Sequence, residues 1–256
     1  MSFLELLRIE FKKTKRSKIL PLLIVSPLLV VISGVYNLSM YMTPEYTNAW
    51  TAMFIQSALL FGYYLLPFTM MTICVMISNR EMQHNGILKM LALPVDKGKI
   101  AITKFFVLLT FLVIELAIFF ISFIIAGLTA ITIMNVKETI PVIALFSWTF
   151  KLFLTSIPSI SFMWVITIFF ENALLSIGLN LLLIIPGVLI SNTPFWLVYP
   201  YCYSGYIVSD ALHTVTAVEA DTASNLQLFP FIPLAIILTV ISLFISIKQF
   251  GRKETR

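Results

Sequence analysis

The chain has 256 residues, of which 59% are hydrophobic and only 11% charged, with a mean hydropathy of +0.99 and a formal net charge of +5. A soluble domain carries roughly a quarter charged residues, so no water-soluble fold could hide this much apolar side chain. Crossing ~30 Å of hydrocarbon takes about 20 apolar residues, so several spans and short connections use up the length and leave no room for a soluble domain.

The chain opens with Phe3, Leu4, Leu7 and Phe11 on one stripe of a helical wheel and Arg8, Lys12 and Lys15 beside it. Residues 1–18 therefore predict an amphipathic helix lying in the membrane interface, or a plain basic flank that sets topology; Lys13, Arg16 and Lys18 suit both. The apolar run from Ile19 to Leu38 is long for a signal peptide and lacks an Ala-x-Ala cleavage site, so it reads as a retained first span. Together with 19–38, spans are expected near 53–77, 101–127, 147–170, 172–191 and 230–247. Lys151 interrupts the fourth and Pro158 bends it, which leaves a second placement open for Pro141 to Lys151, along the outer surface. Of the 17 Lys and Arg residues, 15 fall in the N-terminal segment, in the loop after the second span with its junction, or in the tail; Lys137 and Lys151 are the exceptions. Basic residues are retained on cytoplasmic flanks, so both termini are expected in the cytoplasm, the span count is even, and 248–256 is a cytoplasmic tail. The whole chain, 1–256, reads as one transmembrane domain with 19–247 holding the six spans.

Between the second and third spans lies the most informative polar stretch, from Ser78 to Pro94. Asn85-Gly86 is a turn signal, Ile87 to Leu93 suits about two helical turns, and Pro94 is a plausible stop. A short apolar helix flanked by charge either fills a groove on a cytoplasmic partner or dips back into the interface. Glu115 lies near mid-bilayer in the third span, where a carboxyl must face protein or water, pair, or stay protonated. It is either a polar contact in a translocation path or between subunits, or a neutral acid hydrogen-bonded for packing; a pairing with Lys151 is a further guess. Glu171-Asn172, in the tight turn between the fourth and fifth spans, reads first as a helix cap.

From Ser191 to Pro230 the chain has no Lys or Arg, and Phe195, Trp196, Tyr199, Tyr201, Tyr203 and Tyr206 cluster there. This segment reads as an interfacial aromatic belt with a re-entrant turn set by Pro194 and Pro200, or as the first protein surface met by a peptide in the outer leaflet. The acids of the outer loops could steer a cationic peptide, although they are also what remains once basic residues are kept on the other side. Cys74 and Cys202 fall in different segments, placed near opposite faces, and are expected to be free thiols. His84 and His213 sit on opposite sides, and no His-Glu-x-x-His, Gly-x-Ser-x-Gly or Gly-x-x-x-x-Gly-Lys-Ser/Thr pattern occurs, so no catalytic, metal or cofactor site is expected in this chain.

Glu10 followed by Lys12, Lys13 and Arg16, then Glu81, Asn85-Gly86, the Leu-rich turns with Pro94, and Lys104 opening the third span, resemble the permease subunits of type-2 ABC exporters. Within that superfamily the outer segment Asn192 to Tyr201 is similar to lantibiotic self-protection permeases, the E and G subunits of immunity transporters, with bacitracin-resistance permeases as close relatives. The resemblance implies a multi-pass protein of the bacterial cytoplasmic membrane that expels lantibiotic-like peptides. The alternatives are a drug or lipid exporter of the bacitracin-resistance type and, further off, a non-transport membrane scaffold or an intramembrane enzyme. It implies ATP and Mg on a partner ABC ATPase, in two copies, and a second related permease, with lipid and peptide but no nucleic acid as further partners. Glu81, Asn85, Gly86, Ile87, Leu88 and Leu91 would couple to the ATPase, while Glu115, Phe195, Trp196, Tyr199 and Tyr201 would line a substrate path or a subunit contact.

Overall fold

The computed structural model describes residues 3–14, 19–36, 38, 48–82, 97–136, 138–170, 172–216 and 228–252. Every regular element among them is helical, and six segments are long and apolar enough to cross a bilayer: Ile19–Tyr36, Ala49–Arg80, Gly98–Met134, Val142–Phe169, Ala173–Ser191 and Phe229–Gln249. The expected all-helical membrane fold with six spans is therefore the one adopted. Helices suit this setting because hydrocarbon offers no water to satisfy a backbone that does not bond to itself.

Helix α1 (Phe3–Thr14) precedes the first span, α2 (Ile19–Tyr36), which carries Pro27 inside it. Span two comprises α3 (Ala49–Leu60) and α4 (Leu66–Met82), joined by one π-helical turn at Phe61–Leu65. The start of α3 is doubly satisfied. Asn48 accepts from the amides of Trp50 and Thr51, and the Glu138 carboxylate accepts from Ala49 N at 2.9 and 3.2 Å. An anion placed on these unpaired amides is also favoured by the helix dipole.

Helix α5 (Lys97–Met134) has 38 residues, hence ~57 Å of length at 1.5 Å per residue, well beyond the hydrocarbon core. Helix α6 (Val142–Phe169) runs unbroken through both Lys151 and Pro158, so Val142 to Lys151 is continuous with the span rather than laid on the surface. Lys151 does not interrupt the helix because its side chain is on an exposed face. Around Pro158 the hydroxyls of Ser156 and Ser161 bond back to Leu152 O and Pro158 O, each at 2.7 Å.

Span five is split at Pro186 into α7 (Ala173–Ile184) and α8 (Gly187–Ser191). Asn172 caps α7 by accepting from Leu174 N and Leu175 N, as the capping reading expects. Two 3₁₀ turns, Pro194–Val198 and Pro200–Cys202, lead into α9 (Tyr203–Thr216), and α10 (Leu228–Arg252) forms the last span with a kink at Phe229. Helix α9 was not foreseen: its 14 residues are too few to span, and Ser, Asp and His interrupt its apolar pattern. It nonetheless packs against α3, the π turn and α6, with Tyr203, Ser204 and Val208 buried.

The core lies where spans two, three and four meet. Phe61 stacks on Phe119 with centroids 4.6 Å apart, and Phe54 meets Phe123 edge-on at 5.4 Å. Trp50 packs where Gly127 leaves room for its ring. Such aromatic pairs add roughly 0.5–1.5 kcal/mol each beyond area burial. By contrast, α10 turns Phe229, Ile236, Ile237, Val240 and Phe244 outward, as a peripheral span facing lipid would.

Candidate functional site

On α1, Leu6, Glu10 and Thr14 recur every four residues, so they share one face, and that face is buried. The apolar stripe expected to enter lipid is divided instead. Leu7 and Phe11 pack on the bundle, Phe3 meets Phe106 edge-on at 5.5 Å, Phe11 meets Phe111 at 6.4 Å, and Leu4 is exposed. The reason is α5, which offers Phe106 and Phe111 to the apolar side of α1 and a buried cation to Glu10.

That cation is Lys104, whose residue is 0% exposed although it belongs to the polar start of span three. Its Nζ donates to Glu10 Oε2 at 3.1 Å, while Lys13 Nζ donates to Glu10 Oε1 at 2.5 Å. Burial alone would push the Glu10 carboxyl up. The Lys104 ammonium, helped by Lys13, more than offsets this and holds it below its ordinary 4.5. Arg80, near the end of α4, donates to the Lys13 backbone carbonyl. The interface helix is thus tied to the end of span two and the start of span three, the two elements that bracket the polar loop. Glu81 lies in the last turn of α4; Asn85, Gly86, Ile87, Leu88 and Leu91 lie outside the described residues.

Glu115 is fully buried inside the subunit, and the hydroxyls of Ser26 on α2 and Thr69 on α4 border it. Neither carboxyl oxygen has a hydrogen-bond partner, so Glu115 and the exposed Lys151 do not pair.

In the outer segment the predicted residues separate. Phe195 is 74% exposed, whereas Tyr201 is buried and donates through its hydroxyl to Asn180 Oδ1 at 2.8 Å in the middle of α7. Trp196 is half-buried, stacked on Tyr206 at 4.1 Å and tilted against Phe231 at 5.5 Å. Tyr199 donates to Leu183 O and Tyr203 to Leu197 O, each at 2.5 Å, and Ser159 donates to Pro200 O at 2.5 Å. These bonds satisfy carbonyls at the end of α7 and in the two 3₁₀ turns, where the regular α-helical bonding is interrupted. Only Phe195 among the outer candidates presents most of its surface.

The turn is also fastened to span two. Ser204 on α9 donates to Gly62 O at 2.7 Å and Tyr63 donates to Ser191 Oγ at 3.0 Å, so the π turn supplies the acceptor of one bond and the donor of the other. Gly205 is required here because a Cβ would enter the Tyr63 ring.

Sequence reasoning quoted Glu10 and Lys104 separately and missed their pairing. The available signal was a lone carboxylate on the Leu6–Thr14 face of an otherwise basic helix. Cys74 and Cys202 are free and buried, and no cluster of metal-ligating residues occurs among the described residues.

Residues 6–187 match the family described as ABC-2 family transporter protein. No curated protein and no solved structure matches the chain. Members of this family are membrane components of ABC transporters and work with an ATPase subunit. A match over more than two thirds of the chain, on a bundle of six membrane-spanning segments, makes this protein a member of the ABC-2 transporter family and a membrane subunit of an ABC transporter.

Proposed function

We propose that the chain is one membrane half of an ATP-driven exporter that removes lantibiotic-like peptides from the bacterial cytoplasmic membrane, with both termini in the cytoplasm. In this reading it pairs with a second related permease and two copies of an ATPase that hold ATP and Mg, and Ile87 to Leu93 seat in the ATPase. The observation that carries it is the three-way tie of α1, the end of α4 and the start of α5 around Glu10, beside the loop that would receive the push. The buried, charge-assisted Glu10–Lys104 pair joins α1 to α5, and the exposed Arg80 bond joins α1 to α4, so a push on the loop is passed to all three elements.

Motion along α4 reaches the π turn, where Gly62 and Tyr63 are bonded to Ser204 and Ser191, and so reaches Phe195 and Trp196. Two readings of Glu81, Asn85, Gly86, Ile87, Leu88 and Leu91 are separated by this proposal: they couple the ATPase to the spans, or they rest in the interface. Phe195, Trp196, Tyr199 and Tyr201 form the outer end of the path, with Phe195 as the contact and the tyrosines holding the turn that presents it.

The test is a mild-detergent pull-down of the tagged protein expressed with its neighbouring genes, combined with tolerance of the cells to a panel of lantibiotics and to bacitracin. Recovery of an ATPase and a second permease, with tolerance to lantibiotics, supports the proposal. Tolerance to bacitracin alone would move the substrate to drugs or lipids, and recovery of the chain alone would replace transport by a scaffold role.

A further inference from the structure

The coupling path leaves Glu115 unused. The residue is 0% exposed, and both its carboxyl oxygens lack a hydrogen-bond partner. Ser26 is 5% exposed and its hydroxyl oxygen is likewise without a partner. Thr69 is also buried, but its hydrogen is given to Leu65 O at 2.9 Å, so toward Glu115 it offers only lone pairs.

The donor balance of this group decides its chemistry. An ionised carboxylate only accepts, so it would face the Thr69 lone pairs with the Ser26 O–H as its one neighbouring donor. A carboxylic acid brings a second donor and matches both hydroxyls.

Among the described residues no cation lies beside the carboxyl. Helix α5 itself has Lys97, Lys99 and Lys104, the last about three turns away and engaged with Glu10. Among the elements packed on α5, α1 carries Glu5, Arg8, Glu10, Lys12 and Lys13 near the Lys104 end, and α2 has Tyr36 at its far end. There is no ionisable side chain in α3, while α4 has Cys74, Arg80 and Glu81, the last two at its end. Lys151 on α6 is exposed, and Lys248 and Arg252 close the far end of α10. A carboxylate without a counter-charge in a low-dielectric interior neutralises by taking a proton.

We propose that Glu115, Ser26 and Thr69 form a proton-binding site inside the membrane, occupied in this conformation, which exchanges its proton only when α2, α4 and α5 part enough to admit water. The site stands whether or not the exported molecule is a peptide.

Infrared spectra of the full chain in lipid nanodiscs test this, as the difference between wild type and Glu115→Gln. The expected result is the carbonyl stretch of a protonated carboxylic acid, present in wild type, absent in the variant and unchanged from neutral pH to about pH 9, far above the ordinary carboxylate range. Ser26→Ala should shift that band by removing the hydroxyl that borders the carboxyl; a band indifferent to Ser26 overturns the assigned site. Carboxylate stretches in place of the acid band overturn the proposal outright. If Glu115→Gln fails to reach the membrane, dicyclohexylcarbodiimide decides on the wild-type chain. Modification of Glu115, located by mass spectrometry, supports a protonated acid in an apolar site, and an unmodified Glu115 under conditions in which an apolar thiol reagent labels the equally buried Cys74 overturns it.

Discussion

Glu10 and Lys104 form a pair in which neither charge can be removed alone without cost, because the survivor stays buried. Lys104→Met should destabilise the protein by about 1–3 kcal/mol, because Glu10 loses one charge-assisted bond and keeps Lys13 as its other partner. The double variant Glu10→Leu with Lys104→Met should recover most of that loss, since apolar groups of similar volume need no counter-charge. Thermal unfolding of the four proteins of this cycle in one detergent measures both effects, and additive losses would contradict a direct pair. The pair also sets an acid limit. Its carboxyl is held below its ordinary 4.5 in the folded protein, so its contribution is complete above that value and disappears as pH falls through the lowered one. Docking of α1, followed by protection of its peptide bonds from protease, should therefore be constant through neutral pH and weaken only in acid below the usual carboxylate range. Tyr201 allows a third test at this scale. Tyr201→Phe leaves Asn180 Oδ1 without its donor, at a cost of about 1–3 kcal/mol, seen as a lower midpoint of thermal unfolding.

Among the elements, close contact of α2 with α3 depends on Gly34. A Cβ there would lie 2.7 Å from Ser57 N and 2.9 Å from Ser57 Cα, and backbone cannot step aside as a flexible side chain can. Gly34→Ala should destabilise the bundle by about 1–3 kcal/mol through overpacking, measurable as earlier thermal aggregation in detergent. The sequence reading located every span near its observed place because mean hydropathy over about 20 residues is a local property. It ended span two too early and began span three too late because their polar ends continue as helix to Met82 and back to Lys97. Helix α9 escaped it for the opposite reason: Tyr203, Ser204 and Val208 are buried by partners far away in the chain, and its own composition reads as loop.

For the molecule as a whole, the expected consequence of the coupling proposal is a separation of binding from work. Glu81→Lys should leave the protein folded and membrane-inserted while abolishing protection against the transported compound, measured as tolerance of cells with equal amounts of protein in the membrane. Unchanged protection would detach the loop from function. The composition alone determined that this chain spans a membrane, which side of the bundle is basic, and which polar stretches connect the spans, because hydropathy and charge are summed along the chain. Only the tertiary structure decided that Glu10 meets Lys104, that Tyr201 turns inward to Asn180 while Phe195 stays outside, and that Glu115 is sealed among α2, α4 and α5. Those outcomes depend on which helix faces meet, and in a chain where nearly every face is apolar, hydrophobicity cannot choose between them; close packing and the need to partner each buried polar group do.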